Sequence, residues 1–296
     1  NVKAHMRIRT ILLQGSSVKS LTFLGDMFDG VQCPCILLQL VATGKPLSTV
    51  GMRIEDRTRT FIIAMERTVV PENFSFRMTD EEYRVLEKIK NSIPVCYLAD
   101  HADFALGIVT GNNKKFLSAE KTENSEMVLK GTDICKYHIN PVKQYLRFEP
   151  EQFQQVAPLE IYRAPEKLLY RFISNQLVVA YDDRQMLSLN SCNIVIPKID
   201  GMQIKYILAI LNSSVSQFVY QKEFHSIKVL RAHMEHIPIP RVGKAIQNEI
   251  IAMTEPLICG MGKEAAETCQ KRLDCRIMDL FRLSAEEQWI IRHALH

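Results

Sequence analysis

Gly107-Ile-Val-Thr-Gly-Asn-Asn-Lys-Lys-Phe116, Tyr162-Arg-Ala-Pro-Glu-Lys-Leu-Leu-Tyr170, Asn190-Ser-Cys-Asn193 and Leu211-Asn-Ser-Ser214 follow one another in that order, and the series ends in Ile237-Pro-Ile-Pro240. Around the first segment, Leu106 to Val109 and Val128 to Leu129 read as strands separated by a loop of Gly, Asn and Lys. Pro165 suits the first turn of a helix whose apolar positions are Leu168, Leu169, Phe172 and Ile173. Residues 176–181 and 193–197 read as a β-pair joined by a polar loop. Ile204, Ile207, Leu208, Leu211, Val215 and Phe218 recur at the spacing of a second amphipathic helix. This mixture predicts an α+β domain over residues 73–240.

Upstream, the apolar runs Val18 to Leu24 and Pro34 to Val41 flank the turn-rich Gly25-Asp-Met-Phe-Asp-Gly30 and predict strand, turn, strand, with Thr58 to Ala64 adding another. The pattern changes around Pro71-Glu-Asn73, which sets a domain boundary near residue 72. Thr79-Asp-Glu-Glu82 is a capping box ahead of a helix carrying Tyr83, Leu86 and Ile89 on one face. Beyond Pro240 the pattern is helical: Lys244 to Ile258, about 263–281, and a short helix opened by a second capping box, Ser284-Ala-Glu-Glu287. Residues 241–296 therefore form a helical tail.

The chain has 296 residues, 47% of them hydrophobic and 24% charged, which excludes a disordered or fibrous protein. A formal charge of +4 permits a polyanionic partner without demanding one. The eight cysteines include Cys33-Pro-Cys35, which lacks the two-residue gap of a zinc knuckle, and the rest fall mostly in apolar runs. They predict reduced, structural thiols and no metal. No apolar run spans a membrane and no signal peptide opens the chain, so a soluble cytoplasmic protein is expected. A Gly-x-Ser-x-Gly elbow, a Walker loop and Gly-x-Gly-x-x-Gly are all absent, and no independent catalytic centre is expected.

In their order and separation these segments resemble the target-recognition domain of the TaqI-like and Eco57I-like adenine-specific DNA methyltransferases of type II (IIG) restriction-modification systems. Met6-Arg-Ile-Arg-Thr-Ile-Leu-Leu13, Val18-Lys-Ser-Leu-Thr-Phe-Leu-Gly25 and Phe28-Asp-Gly-Val-Gln-Cys-Pro-Cys-Ile-Leu-Leu-Gln-Leu40 resemble the last helix and strand pair of the methyltransferase domain in those proteins. The resemblance implies terminal strands of a Rossmann-like methyltransferase sheet over 1–72, a mixed α/β target-recognition domain over 73–240 and a C-terminal helical hairpin over 241–296. It implies binding of double-stranded DNA and selection of the site at which adenine is methylated. The family's Gly-rich donor turn and its Asn-Pro-Pro-Tyr-like tetrapeptide do not occur here; Asn140-Pro-Val-Lys143 offers no aromatic to stack on a flipped base and reads as a loop. S-adenosylmethionine, the parent enzyme's cofactor, is thus expected in a missing N-terminal methyltransferase portion, and this piece is expected to bind no cofactor and to be inactive alone. The rival reading is a non-catalytic protein-interaction or scaffolding module of a phage-defence complex.

Candidate DNA contacts follow from residue chemistry. Thr110, Asn112, Lys114 and Lys115 form a loop able to clasp a phosphate, or else a solvated hairpin tip. Lys167 and Arg171, four apart on the expected helix, would share a face. Arg184 and Gln185 sit at the tip of the expected 181–193 hairpin. Lys228 and Arg231 lie in the run His225 to His236, where Arg231 could fork to guanine. The His225, His233 and His236 spacing does not make a zinc motif.

Overall fold

The computed structural model describes residues 5–30, 34–71, 75–224 and 226–295, folded as two compact units: 1–86 with 222–224, and 87–221 with 225–296. The expected boundary at residue 72, like Cys33 and His225, lies outside the described residues. None of the described helices is long and apolar enough to cross a membrane.

The first unit holds α1 (Met6–Gly15), β1 (Ser16–Asp26), β2 (Pro34–Ala42), β3 (Arg53–Glu55), β4 (Thr60–Ile62) and the start of α2 (Asp80–Asn91). Its sheet runs β2-β1-β3-β4, with β1 and β2 antiparallel as expected and β3 parallel to β1. A register shift between Val18 and Ser20 lets Val18 and Leu21, three residues apart, both enter the core with Met52, Ile54, Ile63 and Phe76. The first capping box forms: Thr79 N donates to Glu82 Oε2 at 2.9 Å and Glu82 N donates to Thr79 Oγ1 at 3.3 Å.

The second unit runs β5 (Val95–Cys96), β6 (Ala102–Ala105), α3 (Asn113–Phe116), β7 (Leu117–Ser118), β8 (Ser125–Leu129), β9 (Tyr145–Arg147), α4 (Leu159–Tyr162), β10 (Lys167–Arg171), β11 (Val179–Asp182), β12 (Leu187–Ser188) and β13 (Cys192–Pro197). It continues with α5 (Ile204–Asn212), α6 (Ser214–Glu223), α7 (Arg231–Glu235), β14 (Ile239–Pro240), α8 (Lys244–Cys259), α9 (Lys263–Leu280) and α10 (Ala285–Ala294). An antiparallel sheet β11-β10-β13-β6 shares one core with a second sheet, β12-β8-β9-β7; Leu169, Ala180 and Ile194 of the first meet Val128, Leu146 and Leu187 of the second. The Ile-Pro-Ile-Pro ending pairs with Val95–Cys96, and Tyr206 OH donates to Pro240 O at 2.9 Å. The α+β class is as expected.

Three local expectations are corrected. The segment after Pro165 is strand β10, not a helix: α4 ends at Tyr162, and Lys167 to Tyr170 are fully buried with strands hydrogen-bonded on both edges, so pairing overrides the modest helix preference of Lys-Leu-Leu. Strands β11 and β13 do form, but β10 lies between them. The long helix from Ile204 breaks at Ser213, whose extended backbone (ψ 158°) and hydroxyl, accepting from Ser216 N at 3.2 Å, start α6 afresh. The break positions Asn212, buried, to accept from Val179 N (3.0 Å) and donate to Val179 O (2.8 Å), closing the edge of β11. The Leu-Asn-Ser-Ser segment is thus a structural device.

The helical tail follows its pattern. Arg276 forks onto Glu249 (2.7 and 2.8 Å) between α9 and α8, and Ser284 and Glu287 close the second capping box.

Candidate nucleic-acid interface

The first and third segments of the series meet in space. Ile108 N donates to Ser188 O at 2.7 Å and Asn190 N to Ile108 O at 3.1 Å, while Leu189 N donates to Leu129 O at 2.7 Å. Gly131 N donates to Ser191 Oγ at 3.0 Å, and Phe172 N donates to Ser191 O at 3.0 Å. Two glycines make this approach possible. A Cβ on Gly107 would stand 2.1 Å from Leu189 O, and one on Gly131 2.5 Å from Ser191 O. Side chains at either place would push the Asn190–Ser191 turn away.

Beside that turn lies a cleft of about 390 Å³ whose walls include Asn113, Lys114, Lys130, Gln144, Asn190 and Ser191. Two ammonium groups and three carboxamides line it, so it can meet a phosphate with point charge and a base edge with paired donors and acceptors. Asn190 and Ser191 belong to a segment singled out in the sequence, without a binding role. Lys130 and Gln144 carried no local signal, because each reaches the cleft only through sheet pairing of residues far apart in the chain.

The 110–115 segment is not a bare hairpin tip. Asn112 caps α3, its side chain accepting from Lys115 N at 3.3 Å, and buried Thr110 donates to Asn113 Oδ1 at 2.6 Å, so both shape the loop. Lys114 and Lys115 remain exposed, the latter with its ammonium 4.5 Å from the Phe116 ring centroid.

Lys167 and Arg171 do not form an exposed basic face. Lys167 is fully buried, ion-paired with Asp182 and donating to Tyr162 O at 2.7 Å. Half-buried Arg171 donates to Gly131 O (2.9 Å) and Ile134 O (2.6 Å), holding the turn behind the cleft. Both cations serve the scaffold because β10 is a central strand.

Arg184 and Gln185 are exposed at a turn after β11, with Gln185 in left-handed backbone (φ 56°). Asp182 fixes that turn by accepting from Arg184 N (2.9 Å) and Met186 N (3.0 Å). Lys228 is exposed, while Arg231, on the short α7, is ion-paired to Glu235 at 2.7 Å. His233 is buried, which pulls its pKa down to about 4, and its Nδ1 accepts from Leu230 N. Among the described residues no cluster of His, Cys, Asp or Glu is placed to hold a metal, and burial pushes the Cys96 and Cys192 thiols up.

Residues 126–239 match the TaqI-like C-terminal specificity domain. The matched stretch runs from β8 to β14 and includes Lys130, Gln144, the Arg184–Gln185 turn, Asn190, Ser191 and the segment up to Arg231; Lys114 and Lys115 lie before it. Among solved structures, the type IIL restriction-modification enzyme MmeI in complex with DNA is similar over 95% of this chain and 45% of its own, at 10% identity and a TM-score of 0.57. The type IIG restriction endonuclease BpuSI is similar over 93% and 45%, at 11% identity and a TM-score of 0.39. The HsdS subunit from Thermoanaerobacter tengcongensis is similar over 73% and 50%, at 15% identity and a TM-score of 0.38. The chain thus spans less than half the length of MmeI, and at that identity the likeness speaks for the fold. No curated protein sequence matches significantly.

Proposed function

We propose that this chain selects the DNA sequence acted on by a restriction-modification enzyme that methylates adenine. The observation that carries the reading is the specificity-domain match over 126–239, which contains most of a cleft lined by lysines and carboxamides. Lys114, Lys115 and Lys130 hold phosphates; Gln144, Asn190, Arg184 and Gln185 face base edges, with amides suited to adenine and Arg184 to guanine. Arg231, engaged by Glu235, ranks behind Arg184 as a base reader, and exposed Lys228 adds a phosphate-binding charge.

The first unit supports a larger sheet. Strand β2 lies at the sheet edge and is exposed on both faces although it reads Pro-Cys-Ile-Leu-Leu-Gln-Leu-Val-Ala: Ile36 is 57% exposed, Leu37 60% and Val41 51%. Apolar residues on both faces suit a strand inside a sheet covered on each side, and such an edge left open invites aggregation. On this reading β2 pairs with the remainder of a Rossmann-like methyltransferase sheet, which supplies the S-adenosylmethionine site and the catalytic residues in a cytoplasmic enzyme.

The test is a salt titration of duplex binding. With about 4 phosphates neutralised, log K should fall against log salt with a slope of roughly −3 to −4, and Lys114→Ala with Lys115→Ala should flatten it by up to roughly 2 on every sequence alike. Absence of binding even at low salt would overturn the reading in favour of the scaffolding role.

A further inference from the structure

The polar cleft is a recess, and a recess is poorly shaped to read a base that stays in the stack. Base edges of a B-form duplex lie at the bottom of its grooves, about 8.5 Å down in the major groove, so a reading side chain has to project into them. The exposed Arg184–Gln185 turn can do so. Gln144 instead is half-buried in the cleft wall just ahead of β9, where its carbonyl accepts from Val128 N at 3.0 Å. A base reaches Gln144 by leaving the duplex stack. The cleft, at about 390 Å³, is at the small end of the roughly 300–1,000 Å³ typical of small-molecule pockets, which is room for one nucleotide and not for a run of them.

The polar atoms of the recess select the kind of nucleotide. Gln144 Oε1 is buried and, among the described residues, has no hydrogen-bond partner. A buried acceptor left unmatched is costly, and a donor on an incoming group relieves that cost. Asn113 has its Oδ1 engaged by the Thr110 hydroxyl at 2.6 Å, which leaves its NH2 as the donor end. Leu117 and Leu189 add apolar surface, and Lys114 and Lys130 add ammonium groups. These groups match the parts of an adenine nucleotide out of its base pair: an amino donor beside a ring-nitrogen acceptor, the faces of the ring, and the phosphate.

We propose that the cleft receives one unstacked, amino-bearing nucleotide of the bound duplex. The inference rests on the DNA-reading role above. Its walls are set before binding, with Asn113 held by Thr110, Ser191 by Gly131 N and Phe172 N, and Gly131 by Arg171, so little conformational freedom is lost when the nucleotide enters.

Single-nucleotide bulges test this without knowledge of the target sequence, because a bulged nucleotide needs no unpairing. This chain is titrated at low salt with one duplex in four forms: fully paired, or carrying a single bulged adenine, thymine or abasic residue. The adenine bulge should bind about 10-fold more tightly than the other three, and Gln144→Leu should bring it to within about 2-fold of them while paired-duplex affinity holds. An unchanged melting temperature establishes that the variant folds, and the wild-type comparison decides by itself if it does not. An adenine bulge bound no better than the thymine or abasic bulge, or a preference that survives in Gln144→Leu, overturns the nucleotide site and leaves DNA reading intact. Displacement of the adenine-bulge duplex by adenosine monophosphate at about 1 mM would make the cleft a site for free nucleotide and overturn its duplex source. Failure to bind any of the four duplexes at low salt overturns both.

Discussion

Gly107→Ala is expected to destabilise the second unit by about 3 kcal/mol and to remove most of its duplex binding, through overpacking against atoms that cannot move aside. The new methyl carbon would lie 2.1 Å from Leu189 O and 2.8 Å from Cys192 O, both main-chain oxygens. The turn cannot retreat, because Ser191 is engaged from the other side by Gly131 N and Phe172 N. Relief would have to come from breaking the Ile108–Ser188 and Asn190–Ile108 bonds, which seat Asn190 and Ser191 in the cleft wall. Gly243→Ala is the control: nothing stands within 4 Å of its Cβ position, and a change within about 1 kcal/mol is expected, the ordinary cost at a helix N-cap. Denaturant midpoints and a duplex-binding titration measure both variants. A Gly107→Ala protein as stable as the control would show that the turn adapts, and the account of how the cleft is built would fail.

Asp182→Ala should cost about 3–5 kcal/mol, since it strands the buried Lys167 ammonium. Burial already pulls the Lys167 pKa below its usual value, and Asp182 is the main influence opposing that pull. The same carboxylate receives Arg184 N and Met186 N, so its removal also loosens the turn that presents Arg184 and Gln185. Lys167→Met should be milder: the remaining carboxylate keeps two main-chain donors, whereas the remaining ammonium in Asp182→Ala keeps only Tyr162 O. Thermal or denaturant unfolding ranks the two, and a Lys167→Met protein less stable than Asp182→Ala would contradict this account of the pair.

Local signals carried much of the fold. Both capping boxes, the β1–β2 pair and the three tail helices follow from residues within a few positions of one another, where the physics of capping and periodicity is complete without tertiary context. The stretch after Pro165 behaved differently. Lys-Leu-Leu-Tyr-Arg has no strong preference, and only partners on both edges, contributed by residues 179–182 and 192–195, made it a strand. That change moved Lys167 from an expected surface to the interior. The same holds at Ser213, where the hydroxyl cap and the bond from Asn212 to Val179 outweigh a helical pattern that continues through the break.

The order of the five quoted segments was readable from the sequence, as were the α+β class, the mild positive charge and the lysine pair at 114 and 115, because these depend on composition and on spacing along the chain. The cleft, the turn that shapes it and the inclusion of Lys130 and Gln144 were decided by tertiary structure alone. Each is a meeting of segments separated along the chain, settled by close packing and hydrogen-bond geometry that no local pattern encodes.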